Sequence, residues 1–276
     1  MKSVLREPFF KVGVVLFGAV SALGILALFW LPHDPHAFVF EPLARPSLTH
    51  LLGVNDAGMD IFSELLVAVQ NTLVFGVWVA GISVGLGAVV GMASGYWGGW
   101  IDAVLMRLCD ILIALPSVLV LLLVASIARP SGMELGALLG VLSFPIGAKV
   151  VRFQTAHLKE TLYVEVALQM GASGWYVLRR HIFPALAPLI GFSCAGRFRF
   201  AVMAQATLAF LGLLSPSEKS FGMMIRQGMQ YYYLDIWWHW IFPPVVLLGM
   251  VLVGVTFVIF SLEGVLDGRV KGVLRG

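Results

Sequence analysis

The chain has 276 residues, 59% of them hydrophobic and only 12% charged, with a formal net charge of +3. A soluble domain of this length would carry about twice that charged fraction, so the composition excludes a water-soluble globular protein and defines an integral membrane protein, in line with a mean hydropathy of +0.93. The small positive charge reflects lysines and arginines that anchor loops, not a nucleic-acid surface.

Six apolar stretches are long enough for a helical crossing, which takes roughly 20 residues: Val12–Leu31, Thr72–Gly95, Ala103–Ile127, Leu135–Ala148, Ala185–Leu214 and Ile241–Leu262. The expected fold is therefore all-α with six transmembrane helices. With both termini cytoplasmic, twelve lysines and arginines fall inside and four outside, leaving Arg197 and Arg199 within a span. That bias sets the expected orientation, because basic loops resist translocation. The first span could be mistaken for a signal peptide, but Trp30-Leu-Pro-His33 offers no small-residue cleavage site, so it is read as a retained helix.

After the first span, His33 to Gln70 is rich in proline and acids and is expected outside. Asp60 begins a helical pattern as its N-cap, and that helix is expected to lie along the membrane surface until Thr72 turns inward. The second span carries Gly76, Gly81, Gly85, Gly87, Gly91 and Gly95, small residues that let helix backbones approach closely within a bundle. Tyr96-Trp-Gly-Gly-Trp100 is a tight turn with aromatic anchors. In the third span Asp110 and Pro116 interrupt an apolar run, and Asp110 is open to two readings, pairing with Arg107 or a neighbouring backbone, or a transport role.

The fourth span, short and interrupted by Pro145, leads into the one sizeable polar block, Lys149 to Pro184. Apolar residues recur at helical spacing from Val150 to Met170, Gly171 permits a sharp change of direction, Trp175 to His181 form a second short helix, and Pro184 opens the fifth span. The pattern is a helical hairpin that serves as a docking surface. In the fifth span Arg197 and Arg199 point to different sides of a helix, whereas Arg197 and Gln205 lie within about 80° of each other. An arginine within a span costs about 2.5–3.5 kcal/mol on insertion scales and seldom faces lipid.

Beyond it, Ser215 to Trp240 contains Tyr231-Tyr-Tyr and Trp237-Trp-His-Trp240, the composition of an interfacial belt, with a ligand platform as the alternative. No metal site is expected: His239 has no second histidine or carboxylate at ligand spacing, and the same holds for His33 and His36, where a surface metal contact stays open as the alternative. Cys109 and Cys194 both fall in spans and read as small buried apolar residues.

Glu165-Val-Ala167, Gly171 six positions after the glutamate and Pro184 nineteen after it resemble the cytoplasmic EAA loop of ABC importer permeases. The chain is most similar to the dipeptide, oligopeptide and nickel group of type I permeases. The supporting segments are His50-Leu-Leu-Gly-Val-Asn55, Gly58-Met-Asp60, Gly95-Tyr-Trp-Gly-Gly99, Met106-Arg-Leu-Cys-Asp110, Leu115-Pro-Ser117, Ala209-Phe-Leu-Gly-Leu213 and Asp267-Gly-Arg269. The resemblance implies a first helix with an external segment over 1–70, a permease core over 71–264 with its coupling loop at 149–184, and a cytoplasmic tail over 265–276.

It further implies a multi-pass subunit of the bacterial inner membrane, working with a second homologous permease as a heterodimer, with a homodimer as the alternative, and with two ABC ATPases and an external substrate-binding protein. On this resemblance Glu165, Ala167, Gly171 and Pro184 form the ATPase-coupling hairpin. ATP and Mg belong to the partner ATPases, as no GxxxxGK[ST] string occurs here. The cargo would be a peptide, nickel or a metal chelate of the opine type.

The chain departs from that group at Met59, Glu64 and Gln70, where basic residues are usual, at Val166 in the EAA core, and at Arg197, Arg199 and Gln205 in the span that generally lines the route. Arg197, Arg199 and Gln205 are the candidate substrate path. Attraction of a carboxylate-bearing cargo and pairing with acids of the partner permease both remain open for the arginines. Two other classes compete. An ion-coupled secondary transporter would require internal repeats and midplane ligands. An intramembrane serine protease is suggested by Gly171-Ala-Ser-Gly174, with Ser173 as its nucleophile.

Overall fold

The computed structural model describes residues 7–273 except Arg129, Pro216 and Ile236, with side chains over that range except those of Trp237 and residues 263–273. It is helical, and the described residues contain no strand, only an isolated antiparallel bridge between Val54 and Asp60. The helices in chain order are α1 (Pro8–Phe29), α2 (Ile61–Trp97), α3 (Gly99–Ala114), α4 (Ser117–Ala128), α5 (Gly132–Lys159), α6 (Leu162–Gln169), α7 (Gly174–Val177), α8 (Phe183–Phe210), α9 (Phe221–Gln230) and α10 (Trp237–Val273). A π-helical turn, Leu178–Ile182, joins α7 to α8.

Among the described residues five helices are long and apolar enough to cross a membrane, and a sixth crossing is made if α3 and α4 count as one span bent by 73°. The break follows from Pro116, which disfavours helical geometry at Leu115 and ends α3. The fourth span is longer than expected. Pro145 lies inside the 28-residue α5 without ending it. Nor does the chain turn at Thr72: α2 runs unbroken for 37 residues, since no proline, glycine or capping side chain stops it there. Between α8 and α10 the sequence suggested only an aromatic excursion, yet α9 forms, with Ser220 Oγ accepting Met223 N–H at 3.4 Å as its cap.

The chain gathers into two compact units: Met1–Val77, Val124–Met133 and Arg199–Gly276 form one, and Trp78–Leu123 with Glu134–Phe198 the other. In the first, α1 packs along α10. Asp60 caps α2 as expected, its Oδ2 accepting the Ser63 N–H at 2.9 Å. The preceding loop is organised by Asn55, whose Oδ1 accepts the N–H groups of Ala57 and Met59, each at 2.9 Å. The belt of aromatics is partly core, with Trp240 fully buried and stacked on Tyr231 at 5.7 Å, whereas Tyr232, Tyr233 and Trp238 are exposed. His239 is buried and its Nδ1 lies 2.6 Å from the Leu52 carbonyl, a packing role.

In the second unit, α2 and α5 meet along a row of glycines. A Cβ placed on Gly91 would stand 2.5 Å from Ala148 O, and one on Gly95 2.5 Å from Arg152 O. Only glycine permits that approach. Cys109 is buried, but Cys194 is exposed, contrary to the sequence reading: α8 turns that side of its surface away from the chain. The side chains of Lys2, Arg6, Arg129 and the 265–276 tail, Asp267-Gly-Arg269 included, lie outside the described set.

Candidate functional site

The Lys149–Pro184 block folds into a hairpin whose turn is set by one residue. The last turn of α6 closes with Gly171 N–H donating to Leu168 O and Ala172 N–H to Ala167 O, both at 3.0 Å, and Gly171 at φ +86°. This paired pattern ends a helix with a left-handed residue, which a side chain disfavours. Ser173 then caps α7, its Oγ accepting Tyr176 N–H at 3.3 Å. A serine spent on a helix cap in an exposed loop has no place in a proteolytic site, and no histidine hydrogen-bonds it among the described residues.

The first arm is not the single helix suggested by periodicity. α5 ends at Lys159, and the chain kinks through Glu160 and Thr161 before α6. The second arm is not separate from the fifth span either. It passes through the π-helical turn, closed by Phe183 N–H donating to Leu178 O, directly into α8. Pro184 is the second residue of α8; it has no N–H to give and its ring crowds the carbonyl four residues back, which the widened turn accommodates.

Both arms rest on an apolar cluster. Val164 of α6 and Val177, Leu178 and Ile182 of the second arm pack with Tyr96 of α2 and Val151 of α5. Around it, three basic residues of the block act as braces. Arg152 clasps Asp102 through both Nε and Nη2, and Asp102 also accepts from Ser94. Lys159 donates to the Tyr96 carbonyl at 2.8 Å, capping the end of α2. Lys149 pairs with Asp110, so that carboxylate is partnered by the fourth span, not by Arg107. The end of α2 and two points along α3 are thus bound to α5.

Away from the cluster, α6 shows Leu162, Tyr163, Val166 and Met170 to solvent, with Met170 84% exposed. Glu165 stands among them, exposed and without an ion pair among the described residues. Ala167 is half-buried between the arms. Among the described residues, Glu165 is thus an unpaired carboxylate within an exposed apolar face.

The fifth-span candidates separate. Arg197 is half-buried and lines a narrow crevice with Ser83, Gly87, Gly147 and Ser193, making no ion pair among the described residues. Arg199 is exposed and donates to Thr256 Oγ1 of α10 at 3.0 Å. Gln205 is buried at 5% exposure, its Oε1 without a hydrogen-bond partner. The structure therefore parts the two arginines as helical geometry requires, and no hydrogen bond joins Gln205 to either among the described residues.

Sequence reasoning missed a further pair. Lys219, 3% exposed, forms an ion pair with the fully buried Glu64, and its Nζ also lies 3.3 Å from Met59 Sδ. Asn55 Nδ2 donates to the other Glu64 oxygen at 2.7 Å. Met59 and Glu64 had stood out as losses of basic residues. The cation at that place is instead supplied from 155 residues along the chain. A lysine next to a methionine gap is the only local signal, and it is invisible without the fold.

Among the described residues, five helices, or six if α3 and α4 make one bent span, are long and apolar enough to cross a membrane, and a hairpin lies between α5 and α8. Residues 87–272 match the family described as binding-protein-dependent transport system inner membrane component. The chain belongs to this family: it is a permease subunit of an ABC importer, a multi-pass protein of the bacterial inner membrane, and ATP is hydrolysed by separate subunits. A Brucella suis protein whose name describes a peptide transport system permease is 34% identical over 98% of this chain and 91% of its own. The oligopeptide transport system permease protein OppC of Mycobacterium tuberculosis is 31% identical over 98% and 93%. The glutathione transport system permease protein GsiD of Pectobacterium atrosepticum is 32% identical over 75% and 70%.

Proposed function

We propose that this permease pairs with a second, different permease to import peptides delivered by an external binding protein, with both chain termini cytoplasmic. The α6–α7 hairpin then faces the cytoplasm and sits in a groove of an ATPase that holds ATP and Mg. Glu165 supplies a charged contact to that groove, Ala167 allows close packing, Gly171 fixes the turn, and Pro184 marks where motion of the hairpin enters α8. The observation that supports this reading is the bracing: Arg152 to Asp102, Lys159 to Tyr96 O and Lys149 to Asp110 tie α5 to α3 and the end of α2, and the apolar cluster of Val164, Val177, Tyr96 and Val151 seats the hairpin on that frame. A push on such a frame is passed on to the spans, not absorbed in a loop.

Relatives named for peptide and glutathione transport support a cargo that bears carboxylates. Arg197 is a half-buried cation with no ion pair among the described residues, a candidate to attract or gate such a cargo. Proteoliposomes containing the whole transporter test this. Labelled acidic peptide is expected to accumulate on ATP addition, and Arg197→Gln to lower its uptake with little change for a neutral peptide. Uptake of nickel or a metal chelate in place of any peptide would overturn the cargo assignment, and unchanged uptake in Arg197→Gln would remove Arg197 from the path.

A further inference from the structure

The segment between α1 and α2 brings together three residues that are far apart in sequence. One donor atom from each of His33, His50 and Asp60 lies within 4.8 Å of the others. His50 Nδ1 is 3.0 Å from Asp60 Oδ1, and His33 Nδ1 is 3.8 Å from Asp60 Oδ2. Ligand atoms at 2.0–2.1 Å from a tetrahedral zinc ion stand about 3.3 Å apart, so three donor atoms within 4.8 Å of one another have to draw together to close on an ion.

We propose that His33, His50 and Asp60 form a binding site for one divalent transition-metal ion of the zinc, cobalt or nickel class. The His33 Nδ1 atom is buried yet has no hydrogen-bond partner, an expense that a metal ligand would relieve. Two serine hydroxyls hold the backbone at the histidines, and one of them also holds the carboxylate. Ser63 Oγ accepts the His33 N–H at 3.1 Å and donates to Asp60 Oδ2 at 2.7 Å, so one hydroxyl positions two ligands. Ser47 Oγ accepts the His50 N–H at 3.1 Å. Phe40 packs edge-on against both imidazoles, at 4.9 Å from His33 and 4.5 Å from His50, and walls one side with apolar surface.

The donor set decides the ion. Two imidazoles and one carboxylate suit borderline cations, whereas calcium and magnesium prefer oxygen alone. On binding, the ion lies between His50 Nδ1 and the Asp60 carboxylate, and the neutral imidazole carries its one proton on Nε2. Three protein ligands leave a fourth position for water or another donor. The ion would staple the chain just after α1 to the first turn of α2. The sequence reading found no second ligand near His33; its partners are 17 and 27 residues away.

The test uses the full chain without a histidine tag, in nanodiscs, stripped by chelator and titrated with Co²⁺ while its d–d absorption and bound metal per chain are measured. One ion per chain is expected, with affinity falling at least about tenfold in His33→Ala. That variant leaves the Asp60–His50 and Asp60–Ser63 bonds in place, so the fold survives; a metal-free melting midpoint equal to the parent's checks this. His36→Ala, an exposed neighbour, is expected to bind like the parent. A smaller loss in His33→Ala, an equal loss in His36→Ala, or no stoichiometric binding by the parent overturns the proposal.

Discussion

Gly171 and Lys219 are single positions on which much of the local structure depends. At φ +86° a side chain at 171 meets the left-handed penalty of roughly 1–2 kcal/mol, larger for a β-branched one. Gly171→Val is therefore expected to lower uptake in proteoliposomes severalfold while the protein still inserts and assembles, and Gly171→Asn, which tolerates that conformation, to retain most of it. Removing one partner of a buried ion pair strands the other charge. Lys219→Met is expected to destabilise the chain by about 3–5 kcal/mol, read as a lower melting midpoint in nanodiscs, and Glu64→Leu with Lys219→Met together to recover most of that loss. Gly171 was legible because its effect is local: a glycine after an amphipathic run needs no partner. Lys219 was not, because its significance depends on a carboxylate 155 residues away.

Among the elements, the hairpin owes its stiffness to α5. The clasp of Arg152 on Asp102 is bidentate and partly buried, the geometry in which an ion pair between side chains is strongest. Asp102→Ala frees the end of α3 from α5. The expected result is a complex that still hydrolyses ATP but imports fewer cargo molecules per ATP, measured by parallel hydrolysis and uptake in proteoliposomes. Unchanged coupling would mean that the brace only serves folding. The hairpin and its turn could be read from periodicity, glycine and proline. The kink at Glu160–Thr161, the continuity of α2 past Thr72 and the braces could not. A helix boundary without a strong breaker depends on what packs against it, and the Asp102–Arg152 clasp joins residues 50 apart.

For the whole molecule, composition and six apolar stretches identified a multi-span helical protein, and the spacing of Glu165, Gly171 and Pro184 pointed to its family before any coordinates. The fold adds what that spacing builds: Val164 and the π-helical turn seat both arms on the inner cluster and leave Glu165, Tyr163 and Met170 exposed. Arg197 lies on the same α8 that the hairpin enters, so drive and path are proposed to share one helix. Reversing the charge of the exposed carboxylate separates docking from folding most cleanly. In proteoliposomes with the partner permease, ATPases and binding protein, Glu165→Arg is measured for co-purification of the ATPases and for ATP-dependent uptake. Coupling through the hairpin predicts that both fall at least about tenfold, roughly 1.4 kcal/mol, while the melting midpoint of the permease stays at the parent's value. Full ATPase association and full uptake in that variant would contradict it.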